Sequence, residues 1–363
     1  MDDRKPKRDT KLFEPIELRG VTARNRIMVS PMCQYCAEDA IPHDWHFVHL
    51  GSRAVGGAGI VVTEATAVEA RGRITPYDLG LWNDEQERAF AKIAAFVTDQ
   101  GALPGIQLSH AGRKASHGRP WEDRSTLLPA NGGWEVIGPS ALPWKDGDLI
   151  PREMTPDDIR NVTAQFQSSA QRALRAGFRI IELHAAHGYL FHSFLSPLSN
   201  RRKDGYGGDF TGRVRFLLET VGAIRDVWPL ELPLFVRLSS TDWVDGGWHL
   251  ADTVELARQL KIAGADLIDC SGGGNHPEQD IPLGPGYQVP FAERVRREAD
   301  IRTAAVGLIS EPGFAEEIIT EERADIVVIG RMALWDPYWP HHAAKALGTE
   351  VKLPLQYRRS DIF

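Results

Sequence analysis

Short apolar runs and longer stretches of helical period alternate along this chain eight times. The apolar runs are Arg26–Val29, Ile60–Glu64, Pro104–Leu108, Arg179–His184, Leu234–Leu238, Asp266–Cys270, Thr303–Val306 and Ile326–Ile329. Several are nearly continuous, as parallel strands covered on both faces require. The segments between them have marked ends. Asn83-Asp84-Glu85-Gln86 supplies a capping residue and a Gln at the third helical position. The stripe Phe90, Ile93, Ala94 and Val97 follows, and Gly101 stops it. Thr155-Pro156-Asp157-Asp158 opens the next helix with a cap and a first-turn proline. Its apolar face runs through Ile159, Val162, Phe166, Ala173 and Leu174 to Gly177, and Leu256, Ala257, Leu260 and Gly264 repeat the scheme.

Eight strand–helix units with no break in composition predict one closed (β/α)₈ TIM barrel. An open doubly wound sheet is the competitor, but its G-x-G-x-x-G after the first strand is missing. Gly56-Gly57-Ala58-Gly59 precedes a strand and reads as a helix end and turn. Leu12–Val21 reads as an N-terminal hairpin plugging the barrel bottom. The predicted organisation is a disordered charged tail over 1–10, the barrel over 11–350 and a C-terminal tail over 351–363. Residues 111–154, rich in Pro, Gly and Trp, form a lid or rim excursion after the third strand.

Composition then removes whole classes of function. A formal charge of −7 and a pI near 6.0 leave no basic excess for a phosphate backbone, so no nucleic-acid partner is expected. No apolar run approaches the length of a membrane span, and the first ten residues carry charges with no apolar stretch behind them. Cys33, Cys36 and Cys270 make no disulfide framework, which points to a reducing cytoplasm.

In a barrel of this kind the chemistry sits where the strands end. The first strand exits into Ser30-Pro31-Met32-Cys33-Gln34-Tyr35, the second at Glu64-Ala65-Thr66, and the third after Gln107 at His110–Lys114. The fourth runs into His184-Ala185-Ala186-His187-Gly188-Tyr189, the fifth carries Arg237, and the sixth ends in Ser271-Gly272-Gly273-Gly274. Strands seven and eight exit at Gly307 and at Gly330-Arg331. Glycines there let backbone N–H groups approach an anion, and Arg331 adds a fork of donors, so a phosphate group is implied. His184 and His187 can donate to one carbonyl oxygen, and Tyr189 stands where a weak acid can protonate a neighbouring carbon. A zinc reading of the histidines, in a metal-dependent barrel hydrolase, competes with this. The first and eighth strands lack the further His or Asp it would need, so no metal is expected. Cys33-Gln34-Tyr35-Cys36 has no second pair to complete a zinc site; Cys33 reads as a single thiol beside a cofactor and Cys36 as structural.

Taken together these strand ends resemble the Old Yellow Enzyme family of FMN-dependent ene-reductases, in its thermophilic-like (YqjM-type) branch. The resemblance also covers Gly72-Arg73-Ile74-Thr75, Gln107–Lys114, Leu195–Asn200 and Tyr206-Gly207-Gly208, and it spans nearly the whole chain. It implies an NAD(P)H-driven reduction of activated C=C bonds in α,β-unsaturated carbonyls or nitroalkenes, by ping-pong hydride transfer and protonation. It implies that Ser30, Pro31, Met32 and Cys33 line the flavin ring, with Ala65, Gln107 and Arg237 on its polar edge. Gly307, Gly330 and Arg331 would hold the FMN phosphate. His184 and His187 would grip the substrate oxygen, Tyr189 would give the proton, Cys33 would tune the flavin, and Tyr35 and Lys114 would face the substrate. Arg359, or in another register Arg358, would reach a neighbouring subunit's site in a homodimer or homotetramer. A non-catalytic flavin-binding protein is the remaining alternative.

Overall fold

The computed structural model describes residues 10–122 and 125–360. Residues 1–9 of the expected charged tail and 361–363 of the C-terminal tail lie outside the described residues. Thr10 is buried, its hydroxyl 2.7 Å from that of Thr349.

An antiparallel hairpin, β1 (Ile16–Leu18) and β2 (Val21–Ala23), leads into the first barrel strand, β3 (Ile27–Val29). Then follow α1 (Asp44–Val55), β4 (Ile60–Ala67), α2 (Asp84–Asp99) and β5 (Leu103–Ser109). A rim excursion carries the short parallel pair β6 (Ile137–Gly138) and β7 (Arg152–Glu153) and leads to α3 (Pro156–Arg175). The chain continues through β8 (Ile180–Ala185), α4 (Leu190–Leu195), α5 (Phe210–Arg225), β9 (Leu234–Ser239) and α6 (Leu250–Ala263). It ends with β10 (Leu267–Ser271), α7 (Val289–Ala299), β11 (Arg302–Ala305), α8 (Pro312–Thr320), β12 (Ile326–Ile329), α9 (Arg331–Trp335) and α10 (Trp339–Leu347). Eight parallel strands close a barrel in the order β3-β4-β5-β8-β9-β10-β11-β12, sealed where Val327 pairs with Ile27. The (β/α)₈ reading therefore holds, with strand limits within a few residues of those predicted; β4 is the longest and contains a bulge between Val62 and Ala65.

The helix ends follow their sequence signals. Asn83 and Gln86 cap each other's backbone, as do Thr155 and Asp158. Gly264 closes α6 at φ +109°, a conformation that costs residues with a Cβ.

Strand alternation sorts the core into two shells. Met28, Ile60, Val62, Ile180, Phe235, Leu267, Ala304, Ile326 and Val328 fill the barrel interior, and Ile16, Leu18 and Ala23 of the hairpin plug it from below. Val29, Val61, Ile106, Ile181, Leu183, Val236, Leu238, Ile268 and Val327 face outward to the helices. The consequence for chemistry is direct. Because Ile180, Phe235 and Leu267 point inward, so do Glu182 and His184, Arg237 and Ser239, and Asp269 and Ser271.

The rim excursion is tied across the mouth by its tryptophans: Trp134 donates to the Arg71 carbonyl and Trp144 to that of Gly274. Among the described residues no helix is long and apolar enough to cross a membrane.

Candidate active site

Above the apolar plug lies a polar layer that has little contact with water. Gln107, Glu182, Arg237 and Asp269 are each at least nine-tenths buried. Gln107 donates its amide to Glu182 at 2.7 Å, Arg237 donates Nη1 to Ser30 Oγ at 3.1 Å, and Arg237 Nε lies 3.1 Å from Asp269 Oδ2. Burial raises the carboxyls of both Glu182 and Asp269; for Glu182 the neighbouring Asp269 adds to it and Arg237 opposes it. Neither carboxylate was singled out from sequence. The signal was available, since both fall on the inward parity of strands that begin with an inward apolar residue, Ile180 and Leu267.

One layer higher, His184, His187 and Tyr189 come together. The His184 ring stands edge-to-face against His187, centroids 5.1 Å apart, and against Tyr189 at 4.8 Å. His184 Nδ1 accepts the Ala186 N–H at 3.2 Å, which leaves its proton on Nε2. His187 takes its N–H to Ser239 Oγ at 2.9 Å and places Nε2 2.7 Å from Ser271 Oγ. Burial, followed by the charge of Arg237, holds the His184 pKa well below its usual range. His187 is lowered by burial and then by His184. Both rings are therefore neutral near neutral pH and can act as donors.

The loop that carries them is packed backbone against backbone. His187 sits at φ +58°, costing about 1 kcal/mol for a residue with a Cβ. A Cβ on Gly188 would lie 2.3 Å from the Gly274 carbonyl, and one on Gly274 2.5 Å from His187 Cα. Lys114 locks the same junction, donating to the carbonyls of His187 (2.9 Å) and Gly274 (2.8 Å) while its ammonium lies over Trp144 and Tyr189.

Below the loop, His192 Nδ1 accepts the Gly188 N–H at 2.9 Å and Nε2 lies 2.9 Å from Asp242 Oδ1. Burial works against an ionised Asp242, but His192, Ser196 and the Trp248 N–H outweigh it and hold the carboxyl at about 2. A folded-state pKa below the unfolded value gives stability that is present above about pH 4 and lost as pH falls through about 2. The Asp242→Asn protein is expected to be about 2 kcal/mol less stable at neutral pH. It should also lose less stability than the parent between about pH 4 and about pH 2. Denaturant melts across that range check both.

Cys33, Tyr35 and the Ser30–Met32 turn edge the same mouth. Tyr35 holds φ +50°, packs edge-to-face on Trp121 at 6.0 Å and bonds to Cys33. Burial and then Glu64 push the Cys33 thiol up. Ala65 pairs with Gln107 across β4 and β5. On the far side, Gly330 comes within reach of Ser30 and Met32, a Cβ there lying 3.8 Å from Ser30 Cβ and 4.0 Å from Met32 Sδ. Gly307, at φ +135°, accepts the Gly286 N–H at 2.7 Å, and Tyr287 stands close enough to feel the charges of both Arg331 and Arg237. Arg331 is exposed at the start of α9. Tyr287 was missed from sequence because it lies well before the glycine it covers.

Arg358 and Arg359 are exposed in a final 3₁₀ turn, Leu355–Ser360. The residues before them line a cleft of about 890 Å³ with Arg24, Gln100 and Gly101, which precede strands. In its own chain the tail therefore lies at the end of the barrel opposite His184.

The chain is similar to known proteins over nearly its whole length. A family model described as NADH:flavin oxidoreductase / NADH oxidase matches residues 11–350. The NADPH dehydrogenase of Geobacillus sp. strain WCH70 is 48% identical over 353 residues, covering 97% of this chain and 98% of that protein. The NADPH dehydrogenase of Listeria innocua serovar 6a is 46% identical over 353 residues, covering 97% and 99%. Among solved structures, morphinone reductase in complex with tetrahydroNAD matches with TM-score 0.79 and 27% identity, over 95% of this chain and 93% of that one. A 2-naphthoyl-CoA reductase complex matches with TM-score 0.84 and 26% identity, over 93% of this chain; the chain spans about half of that larger one, 52%.

Proposed function

The chain belongs to the NADH:flavin oxidoreductase / NADH oxidase family, of Old Yellow Enzyme type, and from that membership we propose how its own residues work. It is an FMN-dependent, NAD(P)H-driven oxidoreductase of the ene-reductase kind, which displaces the hydrolase alternative.

The donor set fits the cofactor. A flavin edge alternates hydrogen-bond donors and acceptors, and Gln107 offers both, Ser30 a hydroxyl and Arg237 a buried cation. Glu182 Oε2 and Asp269 Oδ1 are buried without a hydrogen-bond partner, polar capacity in the layer that would underlie the ring. Gly307, Gly330 and Arg331 would receive the phosphate on backbone N–H groups and a guanidinium. When bound, FMN supplies the redox chemistry, accepting hydride from NADPH or NADH and returning it to the β-carbon of the second substrate.

The remaining work falls to this chain. The His184 Nε2–H donates to the carbonyl or nitro oxygen of an α,β-unsaturated substrate. His187 joins it if Ser271 donates its O–H to Nε2, because the ring proton then sits on Nδ1. Negative charge developing on that oxygen meets two neutral donors already in place. Tyr189 gives its proton to the α-carbon. Cys33 and Tyr35 shape the near wall, Lys114 fixes the loop junction beneath the substrate, and Arg358 or Arg359 would enter a neighbouring subunit's site in a homodimer or homotetramer. The free cysteines suit a cytoplasmic protein.

The edge-to-face cluster of His184, His187 and Tyr189 above Arg237 and Gln107 carries this reading. An anaerobic absorption spectrum tests it. Flavin bands should bleach with NADPH and return with cyclohexenone. A protein that cannot take up FMN, or whose bleached bands no enone restores, would refute it.

A further inference from the structure

Cys36 stands beside α1. The chain turns away after Tyr35, and Cys36 meets the first turn of α1, where His43 and His46 stand edge-to-face with ring centroids 4.7 Å apart. One ligand atom from each of the three lies within 4.8 Å of the others. Cys36 Sγ is 3.6 Å from His46 Nε2. A tetrahedral metal with bonds of about 2.3 Å to sulfur and about 2.0 Å to nitrogen holds such a pair about 3.6 Å apart. The buried carboxylate of Glu64 closes the inner side, Oε1 lying 3.5 Å from His46 Nε2 while Oε2 accepts the Gln34 N–H at 2.9 Å.

We propose that Cys36, His43 and His46 form a binding site for a borderline-soft divalent cation, zinc by ligand type, separate from the flavin chemistry. The fourth position is left to water or to Glu64.

The proton and hydrogen-bond balance is explicit. The Cys36 thiol releases its proton to solvent on binding. His43 Nδ1 accepts the Trp45 N–H at 3.3 Å, and His46 Nδ1 accepts the His43 N–H at 3.2 Å, so each neutral ring carries its proton on Nε2. Coordination through Nε2 moves those protons to Nδ1. It gives up these two long cap bonds and the bond from His43 Nε2 to the Cys36 carbonyl at 2.7 Å. At about 1 kcal/mol each these losses are small beside the roughly 10 kcal/mol or more of a structural zinc site. His43 is exposed, which lets it swing the remaining distance. An occupied site would staple the loop carrying Cys33 and Tyr35 to the start of α1.

Cobalt(II) titrated anaerobically into the FMN-loaded protein reports tetrahedral geometry in d–d bands to the red of the flavin. One equivalent should bind with those bands and be displaced by zinc. Cys36→Ser and His43→Ala should each weaken binding beyond the roughly 10–100-fold typical of lost outer-shell partners. NADPH-driven enone reduction by both metal-free variants should stay at the parent level, which shows that they are folded. Absence of tetrahedral bands in the parent, or bands that persist in both variants, would overturn the site. Bands lost only in Cys33→Ser would also overturn it, by moving the metal to the flavin mouth.

Discussion

The His184→Ala protein should reduce an enone at least 10²-fold more slowly than the parent while still taking up FMN. His184 is the donor whose protonation state is fixed by the structure: Nδ1 is occupied by the Ala186 N–H, burial keeps the ring neutral, and only Nε2 remains to face a ligand. Loss of one such donor in a dry site costs about 3–4 kcal/mol of transition-state stabilisation. The oxidation of NADPH, in which no charge gathers on a substrate oxygen, should slow less. Stopped-flow traces of the two half-reactions separate the effects. Equal slowing of both would mean that the substitution has disturbed the flavin site as a whole, and an unchanged enone rate would remove His184 from its role. His187→Asn is the companion test: its amide N–H restores a donor at that position, so it should fall well short of the His187→Ala defect.

The barrel was legible because its signal is repeated. Eight apolar runs, each followed by a helical stripe with a cap at one end and glycine at the other, leave one economical architecture. Site residues at strand ends were legible for a related reason, since exit positions can be counted once the strands are known. Strand parity was the unused half of that signal. It places Glu182 beneath His184 and Asp269 opposite Arg237, and only the closed barrel brings Glu182 near enough to feel both Asp269 and the cation. The Cys36 cluster was illegible for a different reason. Cys36 was read as structural, and the histidines beside it come from a helix start whose angle no local spacing sets. Both capping residues of α1 are histidines, and their reciprocal backbone bonds bring the rings together. The C-terminal arginines lie at the far end of their own barrel, so any partner for them is beyond what one chain's pattern can encode.

Arg237→Met should be the most damaging single change to the fold, at about 3–5 kcal/mol. Arg237 is buried between Ser30 and Asp269, and its charge is what opposes the burial penalty on Glu182. Without it, two carboxyls remain in an interior with few other donors, and both must rise further to stay neutral. A carboxyl raised in the folded state adds stability below its unfolded pKa and loses it as pH climbs through the folded one. The variant should therefore be closest to the parent near about pH 4 and fall away steadily toward neutral pH, the opposite slope to that expected from Asp242. Adding Asp269→Asn should recover part of the loss, because the second substitution removes the charge that the first left unpaired. A single variant that melts with the parent at every pH would show that water reaches this layer and that Arg237 is needed for flavin binding alone. Recovery of stability in the double variant without recovery of flavin uptake would separate the two duties: Asp269 is what makes the cation necessary for folding, and the cation itself is what the cofactor requires.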